Sequence, residues 1–184
     1  MSEARERVLA HLLEHSVRRG EFVLKSGRPS AWFIDSKQTI GAPEVMVDVA
    51  TLVLERIPAD TDAIGGLTMG ADGVSFITAA VGATRGRGLR AFSVRKEVKD
   101  HGGGGRIAGA LRAGDHVVVT EDTVTRGTSL IEAANVITEF GAHVELLLAV
   151  VDRGGSAAAM AAERGWRFDA LFSAHDLGFE FEGT

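Results

Sequence analysis

The sequence predicts an α/β fold: a doubly wound, mostly parallel sheet with a small N-terminal helix and hood beside it. Three observations predict it. Helical and strand patterns alternate from residue 43 onward, the order of a parallel sheet with helices on both faces. The stretches Val117–Val119 and Val144–Val151 are unbroken apolar runs, the mark of strands buried on both sides. The first 40 residues read differently, as one helix and a short hairpin. The expected plan is one domain over residues 1–184. Helix and hood occupy 1–40, and an α/β core with a mobile loop at 96–106 occupies 41–184.

Bulk properties narrow the function. A chain of 184 residues with 45% hydrophobic content can build a real core. Its net charge of -5 gives no support to a nucleic-acid partner. With no cysteine there are no disulfides and no thiolate-bound metal. The N-terminus MSEARERVLAHLLEHS lacks a signal-peptide core, and runs such as Leu146–Val151 are too short to span a bilayer. A cytoplasmic protein is expected. The 23 glycines exceed an average usage of about 7% and cluster in loops, without any internal repeat.

Residues 3–18 read as an amphipathic helix with Val8, Leu9, Leu12, Leu13 and Val17 on one face, ended by Gly20. His11 and His15, four apart, could bind a metal, but no third ligand is evident and a polar helix face is the plainer reading. Phe22–Leu24 and Trp32–Ile34 look like short strands joined by a turn at Ser26–Pro29, with Lys25 and Arg28 beside it. Pro43 opens a helix with Val45, Met46, Val49, Leu52 and Val53 on its apolar face, and Pro58 closes it. Ala63-Ile64 is a short buried strand running into the loop Gly65–Gly73, and a helix with Val74, Ile77, Ala80 and Val81 follows. A glycine-rich turn after a strand lets a ligand approach the backbone. Gly86–Ala91 fits a loose G-x-G-x-x-A, but it precedes a strand, so a nucleotide reading is rejected.

Strand Ala91–Val94 leads into Arg95, Lys96, Lys99 and His101, then four glycines, Gly102–Gly105. Such a run holds no single conformation cheaply, so a mobile arm is expected. Its cations suit a lid over a diphosphate; a solvated surface tip is the bland alternative. The stretch His116–Leu130 carries the most chemistry. Its apolar strand ends in Glu121-Asp122, followed by the hydroxyl–glycine loop Thr123, Thr125, Gly127, Thr128 and Ser129. A helix then runs to Phe140, with Gly141 as its stop. Backbone N–H groups at a helix start bind phosphate, hydroxyls add donors, and paired carboxylates accept from vicinal sugar hydroxyls. Together these describe a ribose 5-phosphate site. No G-x-x-x-x-G-K-[ST] occurs, so it is not a Walker loop. Strand Val144–Val151 ends in Asp152-Arg153; on residues alone, Arg153 is either an anion contact at the crevice or a surface arginine pairing with Asp152. A helix at Ser156–Glu163 and a strand around Ala170–Phe172 follow, and the tail 174–184 reads as uninformative.

Glu121-Asp122-x-x-Thr125-x-Gly127-x-Ser129 after an apolar strand resembles the phosphoribosyl-diphosphate (PRPP) motif of type I phosphoribosyltransferases. Phe22-x-Leu24-Lys25-Ser26-Gly27-Arg28-x-Ser30 resembles the hood of orotate phosphoribosyltransferases, and Arg95-Lys96-x-x-Lys99-x-His101-Gly102 resembles their catalytic loop. The resemblance covers nearly the whole chain and implies the type I phosphoribosyltransferase fold. It also implies joining of orotate to PRPP, with release of pyrophosphate and formation of orotidine 5'-monophosphate. In that reading Glu121 and Asp122 hold the ribose, and Thr123, Val124, Thr125, Arg126, Gly127, Thr128 and Ser129 cradle the 5'-phosphate. Lys96, Lys99 and His101 cover the pyrophosphate with Arg95 behind them, and the catalytic residues are Lys99, His101 and Asp122. Lys25, Phe33, Ile34, Thr125 and Arg153 face orotate. The resemblance further implies Mg2+, held mainly by PRPP and through water near Glu121 and Asp122. It implies a homodimer whose loop 96–106 completes the neighbouring site. Two departures stand out: Gly65–Gly73 lacks a lysine that some members carry, and Arg126 replaces a small or hydroxyl residue. The rival readings are a transferase for another nucleobase, which would need a different hood, and a non-catalytic PRPP-fold regulator, which would show a basic face.

Overall fold

The computed structural model describes residues 2–23, 27, 29–98 and 105–180. Its centre is a six-stranded sheet, built from β3 (Ala63–Leu67), β4 (Arg90–Val94), β5 (Ile107–Gly109), β6 (His116–Val124), β7 (His143–Asp152) and β8 (Arg167–Ser173). The order is β5-β4-β3-β6-β7-β8, parallel except for the edge strand β5, which runs against β4. The mostly parallel doubly wound sheet is therefore present, and the short antiparallel β5 is an addition to the expected pattern.

The unbroken apolar runs work as two-sided strands. Val118, Leu146 and Leu148 face the layer containing α1 (Glu3–His11), α3 (Met46–Arg56) and α4 (Gly70–Thr84). Val117, Val119, Leu147 and Ala149 face α5 (Thr128–Glu139) and α6 (Ala157–Ala162). Each fully buried Val or Leu contributes roughly 1.5–3 kcal/mol, so both layers are held to the sheet by alternate residues of the same strands.

Three local expectations are corrected. The first helix does not reach residue 18. It gives way to a wider π-type turn at Leu12–Ser16, and β1 (Val17–Val23) begins at once, with Val17 paired to Ile34 and Gly20 inside the strand. β2 (Pro29–Ile34) completes the antiparallel hood. Gly65 and Gly66 are not loop residues; they lie in β3, where a Cβ on Gly65 would come 2.5 Å from Phe92 O and one on Gly66 would come 2.7 Å from Ala71 Cβ. The tail, uninformative in sequence, has a structural role as far as Phe179: the Phe179 ring stacks on Trp32 at 4.3 Å and 4°, clasping the hood to the core. A short helix, α2 (Lys37–Ile40), links hood and core. No described helix is long and apolar enough to cross a membrane.

Candidate functional site

At the carboxyl ends of β6 and β7 the hood leans over the sheet and leaves a cleft of about 600 Å³. Position follows topology, because an open parallel sheet places its crevice where neighbouring connections diverge. From β6 and the turn after it, Asp122, Thr123, Thr125, Arg126 and Thr128 line the cleft. From the hood and α2 come Val23, Phe33, Ile34, Asp35 and Lys37, and Arg153 enters from the end of β7.

Gly127 makes the turn into α5 possible. It adopts φ 84°, the left-handed region that side chains avoid, and a Cβ there would meet Ala157 Cα at 2.9 Å. The turn starts a helix whose first N–H groups lack intrahelical acceptors, a ready anion site. Thr123 Oγ1 and Ser36 Oγ lie 2.7 Å apart, tying this strand end to the segment that carries Lys37.

The two acids differ. Glu121 is buried beneath the cleft, and burial first, then the neighbouring Asp122 charge, pushes its carboxyl up to about 8. At neutral pH it is a hydrogen-bond donor as well as an acceptor. Asp122 reaches the cleft, accepts a 2.8 Å hydrogen bond from Thr123 N, and forms an ion pair with Lys37. Partial burial pulls the Lys37 ammonium down, but the hydrogen bond and charge of Asp122 outweigh it and the net shift is upward. Room for both acids comes from Gly70 at the start of α4, where a Cβ would overlap Glu121 Oε1 and lie 2.8 Å from Asp122 Oδ1.

Arg153 is 5% exposed, not a surface residue. Its Nη2 donates to Ser30 Oγ and to Trp32 O, each at 3.1 Å, and its guanidinium lies 4.2 Å from the Trp32 ring centroid. The Trp32–Phe179 stack continues behind it. The guanidinium is thus held flat at the cleft wall by aromatic packing.

The expected site residues divide as follows. Phe33, Ile34, Asp122, Thr123, Thr125, Arg126, Thr128 and Arg153 come together in one cleft. Glu121 lies behind Asp122, and Ser129 is half-buried off the lining. The Val124 side chain points into the core, and its carbonyl accepts from Arg153 N at 2.8 Å. Arg95 and the exposed Lys96 stand off the cleft lining; Arg95 N donates to Arg106 O, and Arg106 Nε to Arg95 O, both at 2.7 Å. Lys25, Lys99 and His101 lie outside the described residues. Lys37 and Gly70 went unassigned by sequence reasoning. Lys37 lies just past the last residue that the hood motif matches, and Gly70 is indistinguishable from its neighbouring loop glycines.

Among the described residues, the cluster that gathers three potential metal donors is Asp60, His116 and Glu145. It lies at the opposite end of β6 from the acid pair, remote from the cleft. The His11 and His15 rings lie 4.3 Å apart with their planes tilted by 44°, and His11 Nδ1 is 3.0 Å from Thr39 Oγ1, which suits a packed helix face.

No family model matches the chain. It is 35% identical over 178 residues to the orotate phosphoribosyltransferase of a Nostoc species, covering 96% of this chain and 86% of that protein. The crystal structure of Mycobacterium tuberculosis orotate phosphoribosyltransferase with Fe(III) dicitrate superposes with a TM-score of 0.85 at 31% identity, covering 96% of this chain and 99% of the other. The complex of that enzyme with PRPP superposes at 0.80 with 29% identity over 96% and 99% of the two chains.

Proposed function

The chain belongs to the orotate phosphoribosyltransferase family, and from that premise we propose that it transfers the phosphoribosyl group of PRPP to orotate. The products are orotidine 5'-monophosphate and pyrophosphate, which places the protein in pyrimidine biosynthesis. One observation carries the reading: a single cleft joins a carboxylate and a helix N-terminus, suited to a ribose 5-phosphate, to a buried guanidinium and an aromatic wall, suited to a flat carboxylate-bearing base.

In this reading the α5 N-terminus with Thr125 and Thr128 takes the 5'-phosphate. Asp122 accepts from the ribose hydroxyls, and neutral Glu121 supports it from behind. N1 of orotate bonds to the anomeric carbon as the bond to the diphosphate oxygen breaks; pyrophosphate leaves with the electron pair, and the proton carried by N1 passes to the departing pyrophosphate. The transition state has oxocarbenium character, so the site contributes orientation and charge placement. Arg153 presents a planar fork to the orotate carboxylate, with Phe33 against the ring. Lys99 and His101 of the 96–106 loop are assigned to the departing pyrophosphate, with Lys25 on the orotate side, on the strength of the sequence motifs.

The donor set fits Mg2+ held chiefly by substrate. Asp122 is already ion-paired and Glu121 holds its proton, so neither offers a free anionic ligand, and water-bridged contact near these oxygens is what they allow. When bound, Mg2+ supplies charge neutralisation of the diphosphate. A homodimer with shared sites, a single domain over 1–184 and a cytoplasmic location complete the proposal. The test is spectrophotometric loss of orotate with PRPP, with and without Mg2+, beside uracil, hypoxanthine and adenine. Consumption of orotate alone, dependent on Mg2+, is expected; turnover of another base instead would overturn the assignment.

A further inference from the structure

Lys37 is the cation that meets the acid pair. It is the first residue of α2, it lines the cleft, and its ammonium lies on Asp122 Oδ2, the carboxylate assigned above to the ribose hydroxyls. The Asp122 side chain is 9% exposed and that of Lys37 is 52% exposed, so the carboxylate is fixed while the ammonium is free to swing. The preceding residue is pinned to β6 through Ser36 Oγ and Thr123 Oγ1, which keeps the lysine at this rim whatever its side chain does. Across the acids, the segment Gly65–Gly73 contains no lysine or arginine.

We propose that Lys37 is a PRPP-binding residue that exchanges partners, holding Asp122 in the free protein and passing to the anomeric diphosphate when ribose hydroxyls take over the carboxylate. The inference rests on the proposed phosphoribosyl transfer. Its geometry follows from ribose chemistry: the hydroxyl on C2 is one carbon from the diphosphate on C1. A cation displaced from the hydroxyl-binding carboxylate is therefore delivered to the diphosphate side, whereas the 5'-phosphate lies at the α5 N-terminus. The exchange replaces one charge-assisted contact by another, so the ammonium is never stranded. It also keeps Asp122 from standing as an uncompensated buried charge before substrate arrives.

The test compares Lys37→Met and Lys37→Arg with the wild type by steady-state kinetics and by calorimetric titration with pyrophosphate. Lys37→Met is expected to weaken pyrophosphate binding and raise the KM for PRPP about tenfold each, with the orotate KM within twofold. Lys37→Arg, keeping the charge, is expected to recover to within about threefold. Unchanged or tighter binding of PRPP and pyrophosphate by Lys37→Met overturns the proposal, since Lys37 would then only occlude Asp122. A parallel rise in both KM values also overturns it, by assigning Lys37 a structural role. Failure of the wild type to consume orotate overturns the functional reading separately, and the pyrophosphate titration still decides Lys37.

Discussion

Gly70→Ala tests whether the acid pair is built by close packing. The substitution adds one methyl carbon, which would overlap Glu121 Oε1 and sit 2.8 Å from Asp122 Oδ1 and 3.0 Å from Glu121 Cδ. A carbon–oxygen contact needs roughly 3.3 Å, so the acids or the start of α4 must retreat. Overpacking of this kind costs about 1–3 kcal/mol, offset in part by the better helix propensity of alanine. For a chain of this size, a net cost of about 2 kcal/mol lowers Tm by roughly 4–8 °C. Loss of one charge-assisted hydrogen bond to ribose costs about 1.5–3 kcal/mol, which is roughly a 10- to 150-fold rise in the PRPP KM. The control is Gly88→Ala, where no neighbouring atom lies within 4 Å. Differential scanning fluorimetry and initial rates at saturating orotate measure both quantities. If Gly70→Ala keeps the PRPP KM within twofold and matches the Tm of Gly88→Ala, the acids are not held by that contact and the reasoning fails.

Three further outcomes are expected. The Glu121 carboxyl, ordinarily ionised above about 4.5, keeps its proton to about 8 in the folded protein, so the folded state binds the extra proton across that window and wild-type stability falls as pH rises through it. Glu121→Gln removes this dependence, and its Tm should gain on the wild type from pH 5 to pH 8.5; a constant gap would show that Glu121 is ionised at neutral pH. Arg153→Lys, which keeps charge but loses the planar fork, should raise the orotate KM roughly tenfold and the PRPP KM less than threefold; equal rises would make Arg153 a packing residue. If the proposed homodimer shares its sites, mixing Lys99→Ala and Asp122→Asn proteins, each inactive alone, should restore about a quarter of wild-type activity, because half the dimers are then mixed and each holds one intact site. Subunit exchange confirmed by native mass spectrometry without recovered activity assigns the loop to its own subunit.

The central unit was legible because its signals are local. Val117–Val119, the acid pair, Gly127 and Gly141 each act through immediate neighbours. The hood strands and the Arg153 position at a strand end were likewise readable. What failed depended on contacts distant in sequence. Gly65 and Gly66 look like turn residues, but they are strand residues pressed between β4 and β6, where Phe92 and Thr120 leave no space for side chains. Val17–Gly20 carries no apolar alternation because most of β1 is solvent-facing, so the start of that hood strand at Val17, in place of a continuing helix, was not readable. Lys37 acquires meaning only by meeting Asp122, 85 residues away. Phe179 was hidden in the same way, its partner Trp32 lying at the other end of the chain.

The layered arrangement of Phe179, Trp32 and Arg153 has a practical consequence. An indole clamped between an aromatic ring and a guanidinium is a built-in optical probe of its surroundings. The chain contains only two tryptophans, so Trp166→Phe leaves Trp32 as the sole emitter. Trp166 belongs to the packing beneath α6, remote from the hood. The emission of that single-tryptophan protein would then report, without any attached dye, each occupation of the cleft wall that shifts Arg153 against the indole. Hood and tail would be followed together in real time, at equilibrium or in a stopped-flow mixer.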